Sequence, residues 1–495
     1  MLVDGLYKKS FKILAILLLV VVAARLTYGG ALVAVVFVGV VGALCNRRGA
    51  AICAYMVFPF LLAVNPVIMP KEGLLWAYVI RFGHLAIALA LLFSAGRAGG
   101  GSNRLPFGMM FPFLLSACVG SATGWSPMVS FMKLANFAFF LLALWIGTQN
   151  LQDRPHDLLS IRAFILAVVV FLILGSVLVY PFPHISFATT LRGHDALDDA
   201  RLASAVYREI VEAGGKTLFC GITNHSQTLA VVAALSVVWT LCDLTFVERR
   251  MRYLHLAVIL CALPMLYMSR SRAAFTTAAA GVLMVSFYTV RKIGISPQFR
   301  RKLQTCLVTF VALIGVGMAI MEAKNGMLSR WLRKTEDVKG DTRSLTDAMT
   351  SSRQGLMEYS LYEFRRNPLW GSGFQVAEYT SSKVTGRKGL ILSASIEKGV
   401  LPVMILGETG IVGCFLFFVF LASFYVTASR RRQYVTITLF TVLFVANLGE
   451  AMFFAPGGDG SLMWMLTVVG GFTIDTILLY QRRQTQLERP LAYVR

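Results

Sequence analysis

The chain has 495 residues, a formal net charge of +22, 57% hydrophobic and only 15% charged residues, against about 25% charged in soluble domains. These figures exclude a disordered chain, a soluble multidomain protein and a small secreted scaffold, and the long apolar runs exclude the alternating strands of an outer-membrane barrel. What remains is an all-α polytopic membrane protein.

The N-terminus carries Lys8 and Lys9 before an apolar run from Phe11. Arg25 interrupts the run and no small-residue cleavage site follows, so it is read as a retained first span. A span needs about 20 mostly apolar residues. Fourteen are predicted: 11–28, 30–45, 50–69, 74–94, 106–124, 128–148, 162–182, 227–245, 253–268, 273–290, 303–322, 399–427, 434–454 and 461–480. Misjudging a boundary among the first three would give 12 or 13. Two connections are long, 183–226 and 323–398. The chain thus divides into spans 1 to 11 (1–322), a large partly helical loop (323–398), and three closing spans with a tail (399–495).

Loop charges set the orientation. With a cytoplasmic N-terminus, every loop after an even-numbered span is basic, from Arg47 and Arg48 to Arg430, Arg431 and Arg432, then Arg482 and Arg483. The short loops after odd-numbered spans are nearly bare of Lys and Arg. That is the positive-inside pattern, with both termini cytoplasmic and both long loops outside. One short outer turn breaks it, Ser269-Arg270-Ser271-Arg272. Either the two arginines snorkel to headgroups or they form an outer anion site. Charges within spans gather in the same leaflet: Arg81, His84, Lys133, Glu408 and Glu450. Such groups are costly in lipid and face a cavity or a partner. Lys133 with Glu450 is one candidate pair, and the surplus of base points to a negatively charged ligand.

In loop 183–226, residues 200–213 have helical spacing and Gly214-Gly215 stop them. His225, just before the eighth span, is a cap, an acid/base group or a sugar contact. Loop 323–398 holds 13 Lys+Arg and 8 Asp+Glu. Ser351-Ser352 predict an N-cap for a helix from Arg353 to Arg366, ended by Asn367-Pro368. Gly371-Ser372-Gly373 follow as a glycine turn. Gly407, Gly410 and Gly413 recur every three residues in span twelve, for close helix packing, a kink or a ligand. The eight cysteines show no metal spacing and are read as apolar packers, and no P-loop or Asp-rich metal motif occurs. No metal, cofactor or nucleic-acid partner is expected.

Three pieces together resemble the O-antigen ligase and polysaccharide polymerase superfamily of bacterial inner-membrane proteins. Ser269-Arg270-Ser271-Arg272 is similar to the family's outer Ser-Arg turn. Arg353, its helix, Asn367-Pro368 and Gly371-Ser372-Gly373-Phe374 resemble its "R … P-x-x-G-x-G" segment. Glu408-Thr409-Gly410-Ile411-Val412-Gly413 resembles its "E-x-G-h-h-G" span start. The resemblance implies transfer of glycan from a polyprenyl-diphosphate carrier to an acceptor hydroxyl at the periplasmic face, with the lipid bilayer and a chain-length regulator as further partners. The residues at hand fit that step, with Arg272, Arg353 and Glu397 as catalytic and Arg270, Arg81, Lys133, His225 and Glu408 as substrate-binding; His225 and then Glu408 are the further candidates for the base. The large loop contains no His, where ligases of the family carry one; this favours a polymerase over a ligase. A lipid-linked sugar transporter is the alternative of another class, against which stand the missing internal repeat and the long one-sided loop.

Overall fold

Chains that enter lipid must satisfy their backbone polar groups internally, which apolar runs of this length do as helices. The computed structural model describes residues 4–27, 29–64, 75–95, 105–182, 187–188, 218–223, 226–244, 249–269, 271–293, 297–298, 301–302, 304–305, 345–376, 400–449, 452–455 and 459–492. In chain order the main helices are α1 Asp4–Leu26, α2 Leu32–Leu44, α3 Arg48–Ala63, α4 Leu75–Ala95, α5 Met110–Thr123, α6 Pro127–Gly147, α7 Pro155–Leu178, α8 Ser226–Leu244, α9 Arg249–Met268 and α10 Arg272–Ile293. Then come α11 Leu345–Arg366, α12 Leu401–Arg430 and α13 Tyr434–Gly449. α14 runs from Asp459–Trp464 through a π turn, Met465–Val469, into Gly470–Ala492. A two-residue antiparallel pair joins β1 Phe187–Ala188 to β2 Leu218–Phe219.

Among the described residues, seven helices are long and apolar enough to cross a membrane: α6 to α10, α12 and the Gly460–Arg482 part of α14. The apolar helices α2, α3, α5 and α13, and the Phe82–Ser94 part of α4, have 10–17 residues, short of the roughly 20 that a full crossing takes. Large apolar side chains face outward, including Phe93 at 78%, Leu115 at 68% and Phe415 at 65% exposure. Lipid, unlike water, leaves such a surface without penalty. This is an all-α membrane protein. Every expected span but one overlaps a helix; the exception, 303–322, lies outside the described residues apart from 304 and 305, as does the expected helix 200–213.

Contacts sort the helix ends onto two faces. On one, Lys9 Nζ donates to the His156 carbonyl (3.3 Å), Arg154 to Asn46 (2.9 Å), Arg48 to the Ile146 carbonyl (3.2 Å) and Arg482 to the Ile293 carbonyl (2.9 Å). We call this the basic face. On the opposite face Val64 is bridged to Thr223, and Trp125 N–H donates to the Ser372 carbonyl (3.0 Å). Among the helix ends that these contacts place, the start of α3 lies on the basic face and its end on the opposite one.

Two buried carboxylates lock the basic end. Asp243 on α8 accepts from Arg162 of α7 and lies 2.9 Å from His255 Nε2 of α9, all at most 2% exposed. Asp475 on α14 accepts from the Val435 and Thr436 N–H groups (3.1 and 2.8 Å) and from Thr436 Oγ1 (2.8 Å). A carboxylate from another helix thereby satisfies the first-turn donors of α13. Removing one partner of a buried ion pair strands the other charge, at a cost of about 3–5 kcal/mol. Asp243→Ala is therefore expected to melt well below wild type in detergent, with Arg162→Leu added to it recovering part of the loss. A single variant melting with wild type would show that the cluster carries no stability.

Aromatic rings fill the core between the faces. Phe424 stacks on Phe440 at 3.9 Å, Phe453 meets Trp464 at 4.8 Å, and Phe454 contacts Phe113, Phe137 and Phe374 at 5.3–5.4 Å.

Candidate functional site

The site is built around a break in α12. Gly410 has φ +64° and ψ −168°, a backbone region that is essentially glycine-only. The helical ladder stops there, freeing carbonyls before it and N–H groups after it. The turn after α11 takes all four. Ser372 N–H donates to the Gly407 carbonyl (2.9 Å) and Gly373 N–H to that of Glu408 (3.1 Å). Ile411 N–H donates to the Pro368 carbonyl (2.9 Å) and Val412 N–H to that of Leu369 (3.4 Å). Irregular backbone at this depth is tolerable because protein buries it.

Glycines make the approach close enough. Gly371 (φ +78°) lies against the Glu408 backbone, Gly410 against the Leu369 carbonyl, and Gly120 and Gly124 of the α5 end against the Trp370 and Ser372 carbonyls; a Cβ on any of them would overlap these atoms. A Cβ on Gly407 would come within 2.7 Å of the Ser360 carbonyl of α11. The Asn367 side-chain amide closes the turn by donating to the Gly371 carbonyl (2.8 Å). The glycine triplet of α12 thus does three jobs: Gly407 admits α11, Gly410 breaks the helix, and Gly413 packs beside Ser116 of α5.

α6 holds the far side of the turn. Lys133 is 3% exposed and its ammonium donates to the Gln375 carbonyl (3.0 Å). Ser130 Oγ lies 3.1 Å from the Phe374 carbonyl and 2.7 Å from Ser121 Oγ. One turn along from Lys133, Asn136 Oδ1 is 2.8 Å from His84 Nε2 on α4. Outside the turn, the Arg366 guanidinium stacks on the Trp125 ring at 4.5 Å.

Of the residues singled out from sequence, Lys133 and Glu408 (1% exposed) meet at this turn. One partner of Lys133 is a backbone carbonyl; Glu450 lies outside the described residues. Arg272 is half-buried at the first position of α10, where Ser271 Oγ caps the helix by accepting from Ala274 N–H (3.3 Å). That end packs on the end of α13, with Gly449 against Ala273. Segment 452–455 then runs from α13 to the turn, where Phe454 meets Phe374. Arg272 and Lys133 therefore belong to one continuous layer of the opposite face. Arg353 lies on α11, nearly four turns before the helix ends at Arg366, and Arg81 lies one turn before His84 on α4. Arg270, His225 and Glu397 lie outside the described residues.

Sequence reasoning passed over Ser121, Ser130, Asn136, Trp125 and Gln375. The two serines and Asn136 are small polar residues inside apolar runs, and that was the available signal. Gln375 engages through its carbonyl, which leaves none. Among the described residues no group of three His, Cys, Asp or Glu is placed to hold a metal. Neither a protein-family model nor a curated protein matches this chain.

Proposed function

We propose that this chain transfers glycan from a polyprenyl-diphosphate carrier to an acceptor hydroxyl at the outer face of a bacterial inner membrane, polymerising surface-polysaccharide repeats. On this reading the chain spans the membrane fourteen times, the basic face is cytoplasmic and the two long loops are periplasmic. The observation that carries the reading is charge placement. Lys133 is buried and the Arg272 end of α10 half-buried on the face opposite the basic loop ends, where positive charge is normally sparse.

The chemistry asks for such charge. The acceptor oxygen bonds to the anomeric carbon as the bond from that carbon to the diphosphate oxygen breaks. The hydroxyl proton passes to a base, and the leaving diphosphate keeps the electron pair. Arg272, Arg270 and Arg353 are assigned to the diphosphate, through the planar donor fork that suits phosphate. Arg81 and Lys133 add supporting charge. Glu397 is assigned as base, with His225 and Glu408 contacting the sugar.

The test is a deletion strain complemented with wild type or Arg353→Ala, its surface glycan separated on a gel. A polymerase predicts that deletion removes the long-chain ladder and leaves single repeats, and that Arg353→Ala at normal protein level restores little of it. Loss of all surface glycan with long chains still on the carrier would mean a ligase. An unchanged ladder in the deletion strain would overturn both readings.

A further inference from the structure

A second feature lies at the basic face, at the other end of α12 from its break. The last turns of α12, the π turn of α10 (Val285–Thr289) and the first turn of α13 enclose an open cavity of about 410 Å³. Tyr288, Tyr425, Ser429, Arg430, Val426 and Ile437 line it. π turns are rare, and they recur where helices are distorted for function. This one is fixed by Thr289 Oγ1, 2.6 Å from Thr438 Oγ1 of α13.

The rim is cationic. Arg430 is exposed, Arg431 and Arg432 follow it, and Lys292, one turn beyond Tyr288, sits 5.9 Å over the Tyr434 ring. Among the described residues no acidic one lines the cavity. The acidic group that faces it from α14, Asp475, is buried and already accepts three hydrogen bonds from α13. Hydroxyl donors lie inside the rim: Ser429, Tyr288, and Tyr425, whose hydroxyl is 2.9 Å from Thr441 Oγ1.

Below the rim the surface turns apolar. Leu283 and Phe287 on α10, and Phe418 and Val426 on α12, are each about half exposed. Cations at one end and an exposed apolar stripe descending from it match an amphiphile standing in the leaflet, with its phosphate at the rim and an acyl chain along the stripe. A free phosphate ion would have no use for the stripe. A zwitterionic headgroup would bring its own cation against Arg430 and Lys292.

We propose that this cavity is a binding site for an anionic glycerophospholipid of the basic-face leaflet, held by Arg430, Lys292 and the tyrosine and serine hydroxyls. The inference does not depend on the glycan-transfer reading.

The full-length protein in nanodiscs of dioleoyl phosphatidylcholine, doped with dioleoyl phosphatidylglycerol, tests it by native mass spectrometry of retained lipid. Wild type is expected to retain phosphatidylglycerol over phosphatidylcholine. Arg430→Gln with Lys292→Gln should weaken that preference about 25-fold, at about fivefold per cation near a membrane surface. Both side chains are exposed, and an unchanged melting temperature in pure phosphatidylcholine would confirm that the variant is folded. Lys8→Gln with Arg47→Gln, an exposed pair elsewhere on the same face, should leave the preference intact. Three results would overturn the proposal: no preference in wild type, equal loss in both double variants (diffuse attraction), or full displacement of the lipid by millimolar inorganic phosphate.

Discussion

On the proposed glycan-transfer reading, Arg272→Ala is expected to cut transfer about 100- to 1000-fold while leaving the start of α10 intact, the loss that removal of one electrostatic donor to a developing anion produces. The separation of the two effects follows from where Arg272 sits. It is the first residue of α10, the end of a helix dipole at which a cation is unfavourable. Helix formation therefore makes no call on its charge. The helix start is secured by the Ser271 hydroxyl, and the packing against α13 by Ala273 on Gly449; neither involves the guanidinium. Arg272→Lys should fall between the two, because it keeps the charge and loses the fork. The measurement is transfer in membrane vesicles supplied with lipid-linked repeats, alongside a melting curve of the purified variant. Wild-type transfer by Arg272→Ala would remove this arginine from the chemistry. A collapsed melting curve would reassign it to the fold.

Gly371→Val is expected to remove activity completely, and to do so through structure. Gly371 has φ +78°, and a Cβ there would overlap the carbonyl carbon and oxygen of Glu408 and the nitrogen of Thr409. All three are backbone atoms and cannot rotate aside. The turn must then leave the break in α12, exposing the Gly407 and Glu408 carbonyls and the Ile411 and Val412 N–H groups, each a buried polar group costing about 1–3 kcal/mol. Gly355, on α11 one turn beyond Ser351, supplies the contrast: nothing lies within 4 Å of a Cβ there, and replacing glycine by alanine inside a helix gains roughly 0.5–1 kcal/mol. Gly355→Ala should melt at or above wild type, and Gly371→Val far below, with the 367–376 segment newly open to protease in right-side-out vesicles. Equal melting of the two variants would refute the turn-and-break account.

The helices were readable in the sequence because lipid demands long apolar runs and the basic loops mark their alternate ends. Their boundaries were less so. α11 begins at Leu345 and not at the expected cap Ser351-Ser352; Ala348 and Met349 are good helix formers, and Asp347 suits the first turn of a helix, so the serines fall in its interior. α14 continues to Ala492, past the apolar run that ended the expected span at 480, because its last turns are charged. The pairing of the turn with the α12 break was not readable. It joins backbone groups some 35 to 43 residues apart, such as Ser372 with Gly407, and backbone acceptors leave no mark in residue type. Lys133 shows the same blind spot: its charge was visible, but its bond to the Gln375 carbonyl was not.

The Asp475 carboxylate has a bearing on biogenesis. α13 emerges from the ribosome with its first-turn donors unmet, and the group that meets them arrives 39 residues later. α13 is therefore not capped when it is made. Its cap waits for α14. A nascent chain halted between them would present an uncapped helix end to the insertion machinery.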